Sequence, residues 1–130
     1  HPEVAMWECS ETGCSKEMKS VVLDSNWRWI HNGQYTNCYK DSSWSEDLCP
    51  DPETCAKNCH LDGAGFLEYA DTYGIHGYET GVKMDFVTET QYGSNFGSRV
   101  YLLDNEREYK MFKLLNREFT LTVDNSRMPC

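Results

Sequence analysis

A chain of 130 residues with 39% hydrophobic and 13% aromatic side chains can bury the core of one ordinary domain, which excludes a disordered chain. Its formal net charge of −9 excludes sequence-independent binding to nucleic acid or to an anionic membrane, and a neutral partner fits better. No apolar run approaches the roughly 18 residues of a membrane span and no charged-then-apolar leader opens the chain, so the sequence reads as mature, soluble material.

Residues 1–20 are polar and irregular, with Gly13 between Cys9 and Cys14, and read as a tight stapled loop. The next stretch, SVVLDSNWRWIH at 20–31, reads as a strand. Its side chains then alternate faces, so Trp27 and Trp29 share one face while Asn26 and Arg28 share the other. Two indoles on one face are either core or a stacking platform for a flat, partly apolar ligand such as a pyranose, and at this level both readings stand. Residues 31–44, rich in Asn, Gly, Ser and Tyr, suit a surface loop of the kind that carries binding groups. Pro50, Asp51 and Pro52 lead into ETCAKNC, a helical turn or two in which Cys55 and Cys59 share a face and can be tied to loop cysteines.

Residues 61–80 hold Gly and Ala breaks among four aromatics without a sustained period, and read as loop and turn. From Gly81 the pattern turns to β. Val82, Met84 and Phe86 alternate with more polar neighbours, as do Phe119, Leu121 and Val123. Residues 99–103 make a short strand between them, and residues 109–115 another, with Asn116 and Arg117 as its turn; a helical period also fits 109–115, but the surrounding alternation favours strand. Short strands at hairpin spacing predict an antiparallel sandwich or barrel.

Seven cysteines, six of them before residue 60, point to an oxidising compartment and a secreted, extracellular protein. A zinc site is set aside because Cys49, Cys55, Cys59 and His60 match no common finger spacing, and no metal or cofactor is expected. Cys130 is left over, which predicts a partner on another chain or in further sequence.

With VVLDSNWRW, then TNCY, DLCPDPETCAKNCHLDGAG, GSRVYLL and the closing FTLTVDNSRMPC, the whole chain resembles the N-terminal part of glycoside hydrolase family 7, the secreted cellobiohydrolases and endoglucanases. The resemblance implies a concanavalin-like β-jelly-roll sandwich with little helix, of which residues 1–130 form one N-terminal segment. Its concave face would form a cellulose-binding groove. Trp27 and Trp29 would be sugar platforms with Asn26 and Arg28 beside them; Asn37 and Tyr73 would line the groove; Asn95 and Arg99 would bond glucosyl hydroxyls. NWRW and a long loop at 90–98 look more like the cellobiohydrolase branch. Family pairing would join Cys9 to Cys14, Cys38 to Cys59 and Cys49 to Cys55. A further family cysteine would stand where His60 is, and Cys130 would pair far downstream.

Retaining glycosidases need two carboxyl groups about 5 to 5.5 Å apart. The resemblance implies that both come from a Glu-x-Asp-x-x-Glu strand, and the sequence contains no such motif. The clusters Asp104/Glu106/Glu108 and Glu46/Asp47 have other spacings and read as solvated charge, so no catalytic residue is assigned. Three readings follow: a piece of a retaining β-1,4-glucanase, inactive alone; a non-catalytic glycan-binding module; or a self-assembling structural unit. The expected partners are cellulose or another β-1,4-glucan, and the rest of a catalytic domain or another copy joined through Cys130 and open sheet edges. No Asn-x-Ser/Thr sequon occurs.

Overall fold

The computed structural model describes residues 1–24 and 28–128. In chain order the elements are β1 (Glu3–Ser10), β2 (Gly13–Leu23), β3 (Ile30–His31), β4 (Tyr39–Lys40), β5 (Ser43–Trp44), α1 (Pro52–Asn58), β6 (His60–Leu61) and α2 (Glu68–Asp71). There follow β7 (Ile75–Tyr78), β8 (Gly81–Met84), β9 (Val87–Thr90), β10 (Gly93–Phe96), β11 (Val100–Asn105) and β12 (Glu108–Tyr109).

Strands β1 and β2 form a long antiparallel hairpin where the sequence predicts a loop, with Cys9 directly opposite Cys14 and bridged to it. The turn fits its residues: Thr12 N–H donates to Ser10 Oγ, and Gly13 takes φ 140, which side-chain-bearing residues avoid. The sequence hides the hairpin because its outer half is exposed on both faces, so no apolar alternation marks it. Only at the inner end does alternation emerge, with Lys19, Val21 and Leu23 buried and Ser20 and Val22 less so.

That inner end is where β11 pairs with β2, Val100 opposite Leu23 and Leu102 opposite Val21. Strand β12 adds to β11 through the turn at Glu106 and Arg107, giving a four-stranded sheet in the order β1-β2-β11-β12. The predicted strand at 99–103 is thus present as β11, shifted slightly along the chain. The continuous strand predicted over 20–31 is not: β2 ends at Leu23, and Arg28 and Trp29 lie outside strands. Asp24 N–H still donates to the Arg99 carbonyl at 2.8 Å, next to the Leu23–Val100 pair, and residues 25–27 of the predicted strand lie outside the described residues.

The core gathers under this sheet. Leu23, Tyr69, Tyr73 and Ile75 are buried together, with Leu61, Ala64, Val82 and Val100 packed against them. Three of these eight come from 69–75, within the stretch predicted as loop and turn. Instead α2 places Tyr69 against β2, whose Leu23 N–H donates to the Tyr69 hydroxyl at 3.1 Å, and the chain then forms β7. One turn of helix is too short to show a 3.6-residue period, which is why pattern alone missed it. The alternation from Gly81 is a strand, β8, paired with β7; the expected long loop at 90–98 is largely the hairpin β9-β10.

Helix α1 is the predicted one. Asp51 caps it, its carboxylate accepting the Thr54 N–H at 2.8 Å, and Pro52 opens its first turn. That hydrogen bonding, led by the Thr54 hydroxyl, holds the Asp51 carboxyl below its usual range. Disulfides join Cys38 to Cys59 and Cys49 to Cys55 around it, which with Cys9–Cys14 are the pairs that the resemblance implies.

After β12 the predicted strands at 109–115 and 119–123 do not form among the described residues. Residues 111–128 are exposed throughout; the Phe112 and Phe119 rings meet edge-on at 5.0 Å across a bend at Leu115 and Asn116. The alternation of Phe119, Leu121 and Val123 is real, but a strand also needs a ladder partner, and none pairs with it among the described residues.

Candidate functional site

Trp29 leaves the core and is 40% exposed, its indole N–H donating to Asn37 Oδ1 at 2.5 Å. Asn37 is held for this role because it bridges to His31, while the next residue, Cys38, is fully buried and tied to Cys59. The indole is flanked by His31, with ring centroids 4.6 Å apart, and by Tyr35 at 5.7 Å. His31 itself is buried. Its Nδ1 accepts the Gly33 N–H at 3.0 Å, which leaves the ring proton on Nε2 to donate to Asp62 Oδ1 at 3.2 Å.

A second group is built around Arg28. Its guanidinium lies 4.2 Å over the Tyr73 ring and donates to Asn95 Oδ1 at 3.1 Å. Asn95 sits on β10 and is oriented by its own amide, which donates to the Gly97 carbonyl at 3.0 Å. Arg28 Nε is buried with no hydrogen-bond partner among the described residues. Tyr73 is not a surface residue at all: it is 2% exposed, and its hydroxyl donates to the Asp62 carbonyl at 2.9 Å. Burial raises its phenol pKa, against the opposing pull of Arg28, so at neutral pH it remains a donor.

Asp62 joins the two groups. Its N–H donates to the Trp29 carbonyl at 2.8 Å, its carbonyl receives Tyr73, and its carboxylate receives His31. Sequence reasoning passed over Asp62, which falls in the stretch read as loop and turn and follows β6 in the structure. Tyr35 was passed over too, as one polar-loop residue among many.

Arg99 stands apart from Arg28. It pairs with Asp24, whose carboxylate also receives the Tyr101 hydroxyl at 3.4 Å, so it braces the β2-β11 junction. Asn26, Trp27 and Cys130 lie outside the described residues. The sulfurs of Cys38, Cys49 and Cys59 fall within 4.8 Å of one another, but each belongs to a disulfide and offers no thiolate to a metal.

The arrangement is suited to holding a neutral, flat, hydroxylated ligand. It offers an exposed indole for a C–H face, with the Asn37 amide on its N–H, and a separate guanidinium–amide pair of Arg28 and Asn95 whose polar atoms can meet hydroxyls. The acidic cluster at 104–108 lies elsewhere, on β11 and β12, and is engaged in ion pairs and hydrogen bonds. Asp104 is occupied by Lys110 at 2.9 Å and Lys19 at 3.0 Å, which hold its carboxyl below the usual range, and Glu108 accepts from Asn105.

The model of the family described as Glycosyl hydrolase family 7 matches residues 1–130. Among solved structures, a cellobiohydrolase from Melanocarpus albomyces complexed with cellotetraose is 36% identical with a TM-score of 0.52, over 78% of this chain and 23% of that one. The Humicola insolens glycosynthase mutants give 31% identity and a TM-score of 0.53, over 85% of this chain and 28% of theirs. A cellobiohydrolase from Daphnia pulex gives 41% identity and a TM-score of 0.49, over 79% and 23%. The chain spans about a quarter of the length of the solved relatives it matches.

Proposed function

The chain belongs to glycosyl hydrolase family 7, and on that premise we propose that it supplies part of the glucan-binding groove of a cellulase acting on β-1,4-glucan. Its all-β, disulfide-stapled architecture is the N-terminal portion of the family's jelly roll. The observation that carries the proposal is the exposed Trp29 indole with Asn37 on its N–H, following in the chain directly after Arg28, whose guanidinium donates to Asn95. A pyranose stacks its C–H face on the indole while its hydroxyls bond the guanidinium and the amides. Tyr73 contributes indirectly, as the buried ring that supports Arg28.

Hydrolysis with retention requires a pair of carboxyl groups, and we place that pair outside these residues, since no Glu-x-Asp-x-x-Glu occurs among them. In this division of labour the 130 residues hold the chain and another segment cuts it. NWRW and the β9-β10 hairpin that carries Asn95 support a cellobiohydrolase-like groove. Three disulfides support secretion into an oxidising compartment.

Titration of the full chain with cellotetraose tests the reading. Binding is expected, weakened by about 1 to 3 kcal/mol in Trp29→Ala, the worth of an aromatic anchor. Unchanged affinity in that variant would remove Trp29 from the groove. Cellulose hydrolysis by these residues alone would overturn the placement of the carboxyl pair.

A further inference from the structure

Tyr35 is 73% exposed, and its backbone sits at φ 61, a left-handed conformation that bulky aromatics seldom adopt. The surrounding loop holds it there. Asn32 Oδ1 accepts the N–H of Gln34 at 2.9 Å and of Thr36 at 3.0 Å, and Asn32 N–H donates to the Thr36 carbonyl at 3.1 Å, so residues 32–36 close on themselves. The result is a ring laid within 26° of the Trp29 plane at 5.7 Å and within 26° of the His31 plane at 5.4 Å.

Neither burial nor loop closure accounts for an aromatic at this position. The ring is mostly in water, and glycine would adopt the same backbone without strain. What the tyrosine adds is a second flat apolar ring, stacked against the Trp29 indole with its centroid 5.7 Å away and lying mostly in solvent. Its hydroxyl makes no hydrogen bond among the described residues, and the residue as a whole lies mostly in solvent.

We propose that Tyr35 is a further carbohydrate-binding residue: the second ring of the platform begun by Trp29, taking the glucosyl unit next to the one on the indole. This rests on the groove assignment above. His31 is then a positioning residue, buried beneath both rings and fixed by Asp62 and Gly33.

The test is titration of the full chain and its variants with cellotetraose and with longer cello-oligosaccharides, each variant also being melted. Tyr35→Ala and Tyr35→Gly are expected to weaken binding of the longer ligand about two- to tenfold, with Tyr35→Phe retaining most of it. Tyr35→Gly is expected to melt no lower than the parent, because glycine relieves the backbone. If Trp29→Ala weakens binding while Tyr35→Ala binds like the parent, the Tyr35 assignment is overturned and the groove stands. If Tyr35→Gly loses stability together with affinity, Tyr35 is a structural residue and the assignment also fails. Absence of binding by the parent, or parent-like affinity in both alanine variants, overturns the groove assignment and this one with it.

Discussion

The Arg28 guanidinium lies over the buried ring of Tyr73, 4.2 Å from its centroid, and from there reaches Asn95 on a separate hairpin. One side chain therefore ties the segment before β3 to the core and to the β9-β10 hairpin. The ring attracts the cation, and the amide of Asn95 fixes one of its donors.

A planar fork is needed for that geometry, and an ammonium cannot supply it. Arg28→Lys is expected to lose about 1 to 2 kcal/mol of stability through the weakened ring and amide contacts. It should also bind cellotetraose less tightly. Denaturant titration alongside ligand titration reads both, and parent-like values in each would show that charge alone suffices at this position.

The Tyr73 hydroxyl serves the same framework from below. Tyr73→Phe keeps the ring under Arg28 but leaves the Asp62 carbonyl without its donor, at an expected cost of about 1 kcal/mol. Because the ring remains, ligand affinity should change little. A large drop in affinity at unchanged stability would mean that the hydroxyl itself faces the ligand.

How far these relationships can be read from sequence depends on what each residue's signal rests on. Helix α1 was legible because Asp51, Pro52 and Thr54 are local signals within one turn. Trp29 and Asn37 were named through the motifs around them, and the structure brings the two side chains together in one hydrogen bond. Tyr73 was named for a groove wall, but a residue type cannot reveal that a ring packs beneath an arginine brought from 45 positions away. Asp62 lies in the motif DLCPDPETCAKNCHLDGAG and Tyr35 in a polar loop, but their contacts with Trp29, His31 and Tyr73 appear only in the fold. The hairpin of β1 and β2 was missed for the converse reason. Its outer half buries neither face, so backbone pairing forms it without leaving an apolar period to read.

The loop that positions Asn37 is anchored by Cys38–Cys59, with 21 positions between its ends and Cys38 fully buried. Replacing both cysteines by serine is expected to cost about 3 kcal/mol on chain-entropy grounds, and the same change at Cys9 and Cys14 nearer 2 kcal/mol, since the shorter loop restricts the unfolded chain less. Denaturant unfolding of the two double variants gives the comparison. Equal losses would show that packing around the sulfurs, rather than loop length, sets the effect.

Gly74 joins the core tyrosine to β7 at φ 63, and a Cβ there would stand 2.3 Å from Thr88 Oγ1 and 2.7 Å from Asp85 Cβ. Both the conformation and the space exclude a side chain. Gly74→Ala is expected to destabilise by about 2 kcal/mol or more, by strain and by displacing β9. Thermal unfolding checks this, and a neutral result would mean that the 85–88 segment can shift freely.

The pH dependence of stability follows from the ion pairs. Asp104 is held below the usual carboxylate range by Lys110 and then Lys19, Asp85 chiefly by Lys83, and Glu79 by Lys16. In each case the folded state stays ionised where the unfolded chain takes up a proton. Their contribution is therefore complete above about pH 4 and is lost as pH falls below it. Lys19 is shifted the other way, raised first by Glu17 and then by Asp104, so its contribution is complete below about pH 10 and is lost as pH rises through the folded value. Melting temperature should accordingly be flat through neutrality and fall at both extremes. Asp104→Asn keeps the shape and removes the charge facing Lys19 and Lys110, so it should lower the neutral plateau and shrink the drop on both sides. Acid and alkaline limbs as steep as the parent's would take Asp104 out of this account and leave the dependence to the other pairs.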